Sequence, residues 1–262
     1  MMTARPGGAG GSGGAGGSGW PAAAIRCALL TAGGLAVAQA GPGITAIGPV
    51  RRALAPRLSG RGHAGHVALT FDDGPDPEST PRFLQVLADR QVRATFFLLG
   101  SMVARAPGLA GQIAAAGHET GVHGWDHRYL PLRGPLATRD DLRRAADIIG
   151  RAAGTAPRLY RPPYGVLSTS ALLAARELGL TPVLWGSWGR EWAPGATPAS
   201  VYATLARNLS GGVTVLLHDS GCTSPPGSWQ AALGALPMLI DECDTRGLRL
   251  GTAGEHGIPG LA

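Results

Sequence analysis

The chain has 262 residues, enough for one large α/β domain or two small ones. Apolar residues make up 44% of it but aromatic ones only 5%, so the core must be packed mainly by Leu, Val, Ile and Ala. The net charge of +6 is carried by Arg, since none of the 23 basic residues is Lys; these residues are scattered, which excludes the clustered stripe of a nucleic-acid binder and leaves only a modest attraction to anionic envelope polymers.

Residues 7–19 are almost pure Gly with Ser and Ala, a tract that cannot bury apolar surface and is expected to be disordered. Arg26, the apolar stretch Cys27–Ala40 and its Ala38-Gln39-Ala40 ending read either as a secretory signal peptide or as an uncleaved arm. That stretch is short for a stable transmembrane span, and Gly33-Gly34 weakens it as a helix. Residues 41–62, rich in Pro, Gly and Arg, read as a linker, so that 1–62 forms an N-terminal extension and 63–256 the folded domain.

From His66 the texture changes. His66–Phe71 is a buried strand, and Ser79-Thr80-Pro81 starts a helix with Pro in its first turn. Ala94–Leu99 is a second strand, Leu109–Ala116 a helix stopped by Gly117, and Glu119–Val122 a third strand. Pro135–Ala153 is an amphipathic helix with Leu142, Ala145, Ala146 and Ile149 on its apolar face. Strands at 158–160, 182–185, 213–217 and 248–250 alternate with helices at 169–178, from 197, and at 229–245. Some seven alternations argue a mainly parallel sheet with crossover helices, either a barrel or an open doubly wound sheet. Cys222 and Cys243 are either a disulfide pair or two separate small hydrophobes; no C-x-x-C spacing exists for a thiolate metal site.

Residues suited to chemistry collect after strands: Asp72-Asp73, His123 and His127, Arg161, Trp188–Trp192, and His218-Asp219. In parallel α/β folds these carboxyl ends share one face, so distant stretches converge there. Adjacent carboxylates at Asp72-Asp73 repel each other unless a cation lies nearby. His123-x-x-x-His127 on a helical turn would present two imidazoles on one face. One Asp and two His leave an open position on a divalent ion, a catalytic rather than a structural arrangement. His218, ending V-T-V-L-L-H-D, and its neighbour Asp219 suit proton transfer, and the stiff turn Pro162-Pro163-Tyr164-Gly165 suits holding Arg161 in place. His63, His66, His118 and His256 lack such context and are assigned structural roles.

Together T-F-D-D-G-P (Thr70–Pro75), H-G-W-D-H (His123–His127), R-P-P-Y (Arg161–Tyr164) and L-L-H (Leu216–His218) resemble the polysaccharide deacetylase, or NodB-homology, family, the carbohydrate esterases of family four, over residues 64–252. The resemblance implies a distorted (β/α)7 barrel and an enzyme that hydrolyses the N-acetyl group of an amino sugar in peptidoglycan or a chitin-like glycan; the protein is expected to be a monomer, secreted or in the cell envelope if the signal-like stretch is an export signal, with a cytoplasmic location as the alternative. It implies that Asp73, His123 and His127 hold one divalent ion, usually zinc, that Asp72 is the general base, that His218 protonates the departing amine and that Arg161 orients Asp72. The Tyr164 backbone N–H would help stabilise the oxyanion, and Leu216 and Trp192 would line the acetyl pocket.

The chain departs from the family pattern twice. Gly124 stands where Ser or Thr usually follows the first His, removing a loop hydrogen bond. In W-G-R-E-W, Trp188 and Glu191 occupy the places of two Asp, the first of which normally tunes the catalytic His, so His218 is expected to lack its partner. Trp188 and Trp192 either offer a stacking surface for a sugar ring or cap the barrel core. Competing readings are a catalytically silent carbohydrate-binding domain, a deacylase of a small or lipid-linked amino sugar, and an aspartyl phosphatase, which would need Asp-x-Asp after the first strand.

Overall fold

The computed structural model describes residues 22–258, with side chains from Arg26 onward, so the Gly tract at 7–19 lies outside the described residues. The chain divides into two units, residues 1–37 and 38–262. Helix α1 (Ala22–Ala40), which ends in the second unit, runs unbroken through Gly33-Gly34, contrary to the weakening expected from those residues. Together with the turn that follows, the apolar stretch is also longer than expected: Arg26–Ala46 is long and apolar enough, by length and composition, to cross a membrane, a test that a signal sequence also passes.

The second unit is built on a parallel sheet. In chain order its strands are β1 (His66–Asp72), β2 (Thr95–Leu98), β3 (Glu119–Val122), β4 (Leu159–Tyr160), β5 (Thr181–Pro182), β6 (Ser187–Trp188), β7 (Thr214–His218) and β8 (Arg249–Gly251). They are ordered β5-β4-β3-β2-β1-β7-β6, with β8 pairing the first residues of β1. The connecting helices are α3 (Thr80–Asp89), α4 (Gly100–Arg105), α5 (Pro107–Ala115), α6 (Pro135–Ala153), α7 (Thr169–Glu177), α8 (Pro198–Ala206) and α9 (Ser228–Thr245), after α2 (Gly48–Leu54) upstream of the sheet. This is a distorted (β/α)7 barrel. Helix α4 was not foreseen, and the single strand expected at 182–185 is instead the pair β5 and β6, with the chain leaving one edge of the sheet for the other between them.

Every residue of β1 is buried, so no polar–apolar alternation is visible in its sequence. The two-residue period nonetheless sorts its side chains. Val67, Leu69 and Phe71 join the core between sheet and helices, where Phe71 packs on Phe96 and Phe83 at 4.9 and 5.2 Å between ring centroids. Ala68 faces the barrel interior with Phe97, Leu159, Val183, Ala253 and Ile258. The same parity sends Thr70 and Asp72 inward.

Residues 41–62 do not form the linker expected. They build α2 flanked by two 3-10 turns, and they fill the seam between the sheet edges. Leu184 N–H donates to Leu58 O at 2.8 Å, and Thr214 Oγ1 to Gly60 O at 2.6 Å. Gly60 sits at φ 62°, and a Cβ there would lie 2.6 Å from Thr214 Oγ1, so both backbone and space demand glycine. Arg51, 5% exposed, donates to Trp185 O (2.6 Å), Thr45 O (2.9 Å) and Ser59 Oγ (3.3 Å). Further upstream, Gln39 bonds Arg133 O and Ser170 Oγ at 2.9 and 2.8 Å. Replacing Arg51 with Met keeps the apolar stem but leaves buried carbonyls unpaired. The expected cost is roughly 2–4 kcal/mol, read as a lower midpoint in denaturant unfolding; an unchanged midpoint would restore the linker assignment.

Candidate active site

The inward parity of the strands ends in polar residues at one rim. Asp72 closes β1, His123 follows β3, Arg161 follows β4 and His218 closes β7. Asp72 is in direct register with His218 across the β1–β7 ladder. Asp73, the next residue, adopts φ 75°, which brings the adjacent carboxylate to the same rim.

Asp73, His123 and His127 place one donor atom each within 4.8 Å of one another. Asp73 Oδ1 lies 3.4 Å from His123 Nε2 and 3.5 Å from His127 Nε2, and although fully buried it has no hydrogen-bond partner among the described residues. These separations are too long for good hydrogen bonds. They match the ~3.3 Å between ligands of a tetrahedral ion with bonds of about 2.0–2.1 Å, so the donor set fits a divalent metal. His123 Nδ1 is 2.8 Å from Arg161 O, which fixes a proton on Nδ1 and turns Nε2 towards Asp73. Burial, with His123 nearby, pushes His127 down to about 4, so its imidazole is neutral near pH 7. Burial raises Asp73, but His123, His218 and His127 outweigh it and hold the carboxyl well below its usual range.

The two histidines do not share a helical turn, as their spacing suggested. Residues 123–127 form a loop with Gly124 at φ 89° and His127 at φ 58°, and the rings meet at 5.1 Å between centroids. The hydrogen bond missing at Gly124 is replaced from α6: Asp141 Oδ2 accepts the Trp125 N–H at 2.8 Å. A Cβ at 124 would stand 3.2 Å from that oxygen.

Arg161 is fully buried. Its guanidinium donates to Asp72 Oδ1 and Thr70 Oγ1, both at 2.7 Å, and to Val183 O and Leu184 O at 3.0 and 3.2 Å, while stacking 4.0 Å over the Phe97 ring. The proximity of Arg161 to Asp72 expected from the sequence is therefore present.

His218 does not lack a partner. Glu191, 2% exposed, accepts the His218 backbone N–H at 2.6 Å and faces its Nδ1 at 2.8 Å through the same Oε1. Trp188 does replace the first of the two Asp, but the longer side chain at the second position reaches the His218 ring. Burial disfavours the His218 charge, yet Glu191, Asp73 and Asp72 carry the imidazole up to about 10. Asp219, by contrast, turns away from the site. Its Oδ2 accepts from Thr80 Oγ1 and its carbonyl from Ser79 Oγ, both at 2.5 Å, so it anchors the start of α3.

Asp72, His123, His127 and His218 open onto one cavity of about 260 Å³. Leu216, Trp192, Trp188 and Tyr164 all line it. Trp188 is 37% exposed; it lies 5.9 Å from Trp185 and 5.0 Å from Trp192 between centroids. Tyr164, at φ 60°, stands edge-on to His127 at 4.4 Å. Thr223, which belongs to no motif, also lines the cavity and hydrogen-bonds Asp73 Oδ2. The cysteines are unpaired: Cys243 is in the core, and Cys222 Sγ donates to Asp73 O at 3.3 Å. At the opposite barrel end His66 and His256 pair through Nδ1 atoms 2.7 Å apart, and His118 accepts the Ala94 N–H, in keeping with structural roles.

A parallel β/α barrel with a carboxylate–histidine cluster at its rim, where Asp72 and His218 stand opposite each other, is the architecture of a hydrolase. The family model for polysaccharide deacetylases matches residues 59–183. A peptidoglycan-N-acetylglucosamine deacetylase of Bacillus cereus is 34% identical over 195 residues, 74% of this chain and 69% of the relative. A chitooligosaccharide deacetylase of a Bradyrhizobium species is 36% identical over 205 residues, 74% and 90% of the two chains. Among solved structures, the Bc1960 peptidoglycan N-acetylglucosamine deacetylase superposes with a TM-score of 0.70 at 33% identity, over 75% of this chain and 91% of its own. The chain belongs to the polysaccharide deacetylase family, carbohydrate esterases of family four.

Removing Arg161 alone leaves Asp72 as an uncompensated buried charge. Arg161→Met is expected to cost roughly 3–5 kcal/mol, and adding Asp72→Asn to return part of it. Urea unfolding of both variants checks this, and equal losses in the two would refute the coupling.

Proposed function

We propose that the protein hydrolyses the N-acetyl group of N-acetylglucosamine units in peptidoglycan or a chitin-like oligosaccharide, using one divalent ion, zinc, held by Asp73, His123 and His127. One observation carries the reading: the buried, unpartnered Asp73 Oδ1 faces two imidazole Nε2 atoms in the cavity that also holds Asp72 and His218. When bound, the ion polarises the amide carbonyl and lowers the pKa of attacking water towards about 7.

The remaining chemistry belongs to side chains. Arg161 holds Asp72 Oδ1, leaving Oδ2 to take a proton from the attacking water. His218 lies across the β1–β7 ladder and protonates the amine as the C–N bond breaks. Leu216 and Trp192 enclose the acetyl methyl, the Tyr164 N–H stabilises the developing oxyanion, and Trp188 offers a face for a sugar ring. Residues 63–256 form the catalytic domain, working as a monomer, with the seam segment packed on it. The activity of the relatives towards cell-wall glycan supports a secreted or envelope location, with the apolar N-terminal helix as export signal; cleavage after Ala40 would remove the Gln39 bonds to Arg133 and Ser170. The aromatic wall formed by Trp185, Trp188 and Trp192 also favours a second reading, a deacylase of a lipid-linked or small amino sugar.

Acetate release from N-acetylglucosamine oligomers and peptidoglycan fragments tests the proposal. Chelation is expected to abolish it and zinc to restore it, Asp72→Asn to lower kcat by about 10²–10⁴-fold, and His127→Ala to lose bound metal while retaining the fold. Release from a small amide but from no glycan would favour the second reading, and purified protein that binds no divalent ion would overturn both. N-terminal sequencing of protein recovered from the envelope reports whether the leader is removed.

A further inference from the structure

The loop between β7 and α9, residues 219–227, takes no part in the reaction outlined above, yet it grips Asp73 at two points. Its root is fixed to the start of α3, where Ser79 Oγ donates to Asp219 O and Thr80 Oγ1 to Asp219 Oδ2. Gly74 passes so close that a Cβ there would fall 2.5 Å from the same Oδ2. Further along, Cys222 Sγ donates to Asp73 O at 3.3 Å, while the Cys222 N–H is held by Ser220 Oγ at 3.1 Å. Thr223 then turns its hydroxyl onto Asp73 Oδ2. The Asp73 carboxyl is held well below its usual range, so it is ionised and can only accept; the hydroxyl is the donor.

The two oxygens of Asp73 are thereby made different. Oδ2 is tied to Thr223, whereas Oδ1 is buried, has no partner among the described residues and faces the Nε2 atoms of His123 and His127 at 3.4 and 3.5 Å. The side chain cannot make this distinction by itself. The last torsion of an aspartate is broad and roughly two-fold, so rotamer preference alone leaves the carboxylate free to turn. An outside donor must hold one oxygen, and Thr223 supplies it. We propose that Thr223 is a positioning residue for the metal site: by holding Oδ2 it presents Asp73 through Oδ1 alone, aimed at the space between the two imidazoles, while Cys222 steadies the left-handed backbone at φ 75° that carries the carboxylate. The proposal rests on the reading of Asp73, His123 and His127 as ligands of a divalent ion. A carboxylate that gives one oxygen leaves the open position that a catalytic ion needs, and hydrogen bonds to ligating carboxylates commonly set their orientation and affinity.

Thr223→Val removes the hydroxyl at nearly constant shape, and Thr223→Ser returns it. Zinc affinity of the full-length protein, measured by competition with a chromogenic chelator, is expected to fall about 10–100-fold in Thr223→Val and to recover most of the way in Thr223→Ser. Thermal unfolding with and without zinc separates this from a merely structural role. Loss of any hydrogen bond lowers the zinc-free midpoint, but the rise on adding zinc depends on how tightly the folded protein binds it. That rise is expected to be smaller in Thr223→Val than in wild type at the same zinc concentration. A Thr223→Val protein with wild-type zinc affinity and an undiminished zinc-induced rise would sink the positioning role; if His127→Ala still loses the ion, the ligand assignment survives that result. Weak binding in Thr223→Ser equal to that of Thr223→Val would likewise overturn it, because the donor would then not be what matters. Wild-type protein that takes up no zinc overturns both the ligand assignment and the role of Thr223.

Discussion

Arg161 is a cation with no exposed surface, and much of the barrel rim is arranged to keep it there. Taking a guanidinium out of water costs several kcal/mol unless its donors are matched and its charge is countered. Here Asp72 counters the charge, Thr70 and two carbonyls from the chain after β5 take the other N–H groups, and Phe97 covers the planar face. The arginine thereby ties β1, β4 and the chain after β5 together at one level. Its own carbonyl reaches His123 Nδ1, so the residue that orients the proposed base also sets the tautomer of a proposed metal ligand. The network continues outward: Leu184 N–H is held by Leu58, and Trp185 O by Arg51. An error in the seam segment would therefore reach the rim through only two residues of backbone.

The same economy explains how Asp72 and Asp73 tolerate being adjacent. Neighbouring carboxylates in a buried site would normally leave one protonated. Backbone geometry separates their partners instead. Asp72 points inward at the end of a regular strand and meets Arg161. Asp73, in the left-handed region at φ 75°, meets two histidines, and Thr223 takes its second oxygen. Each carboxylate has its own positive or donor-rich environment, which is the arrangement a base and a metal ligand need side by side.

How much of this was legible in the sequence varied with the range of the interaction. The strands and most helices could be placed because apolar runs and helix starts are local signals, and the convergence of Asp72, His123, Arg161 and His218 followed from one rule about strand ends in parallel sheets. Residues 41–62 differ from the linker expected because Pro, Gly and Arg mark exposed linkers in most settings, and nothing within them reveals that Arg51 will be buried against a carbonyl more than a hundred positions away. The four-residue His spacing suggested a helix because that is the commonest way to pair such rings. The loop achieves it through positive φ at Gly124 and His127, and only the glycine hinted at this. Asp219 looked functional because it follows His218, but strand alternation turns it towards α3.

The exchange at positions 188 and 191 shows why reading a motif position by position can mislead. What meets the His218 ring is a carboxylate oxygen near Nδ1, supplied from a different residue number. A glutamate side chain is one methylene longer than aspartate, and with Arg190 in a left-handed turn it arrives at Nδ1 from three residues further along. The charge requirement is then met from the loop, and strand position 188, paired with Leu216 at the cavity wall, is released from it. A tryptophan there adds an aromatic face beside Trp185 and Trp192 without removing the countercharge from the imidazole. Because the aromatic wall of the cavity and the carboxylate beside the His218 ring occupy different residues, the first can vary while the second stays constrained by burial and by its two bonds to His218.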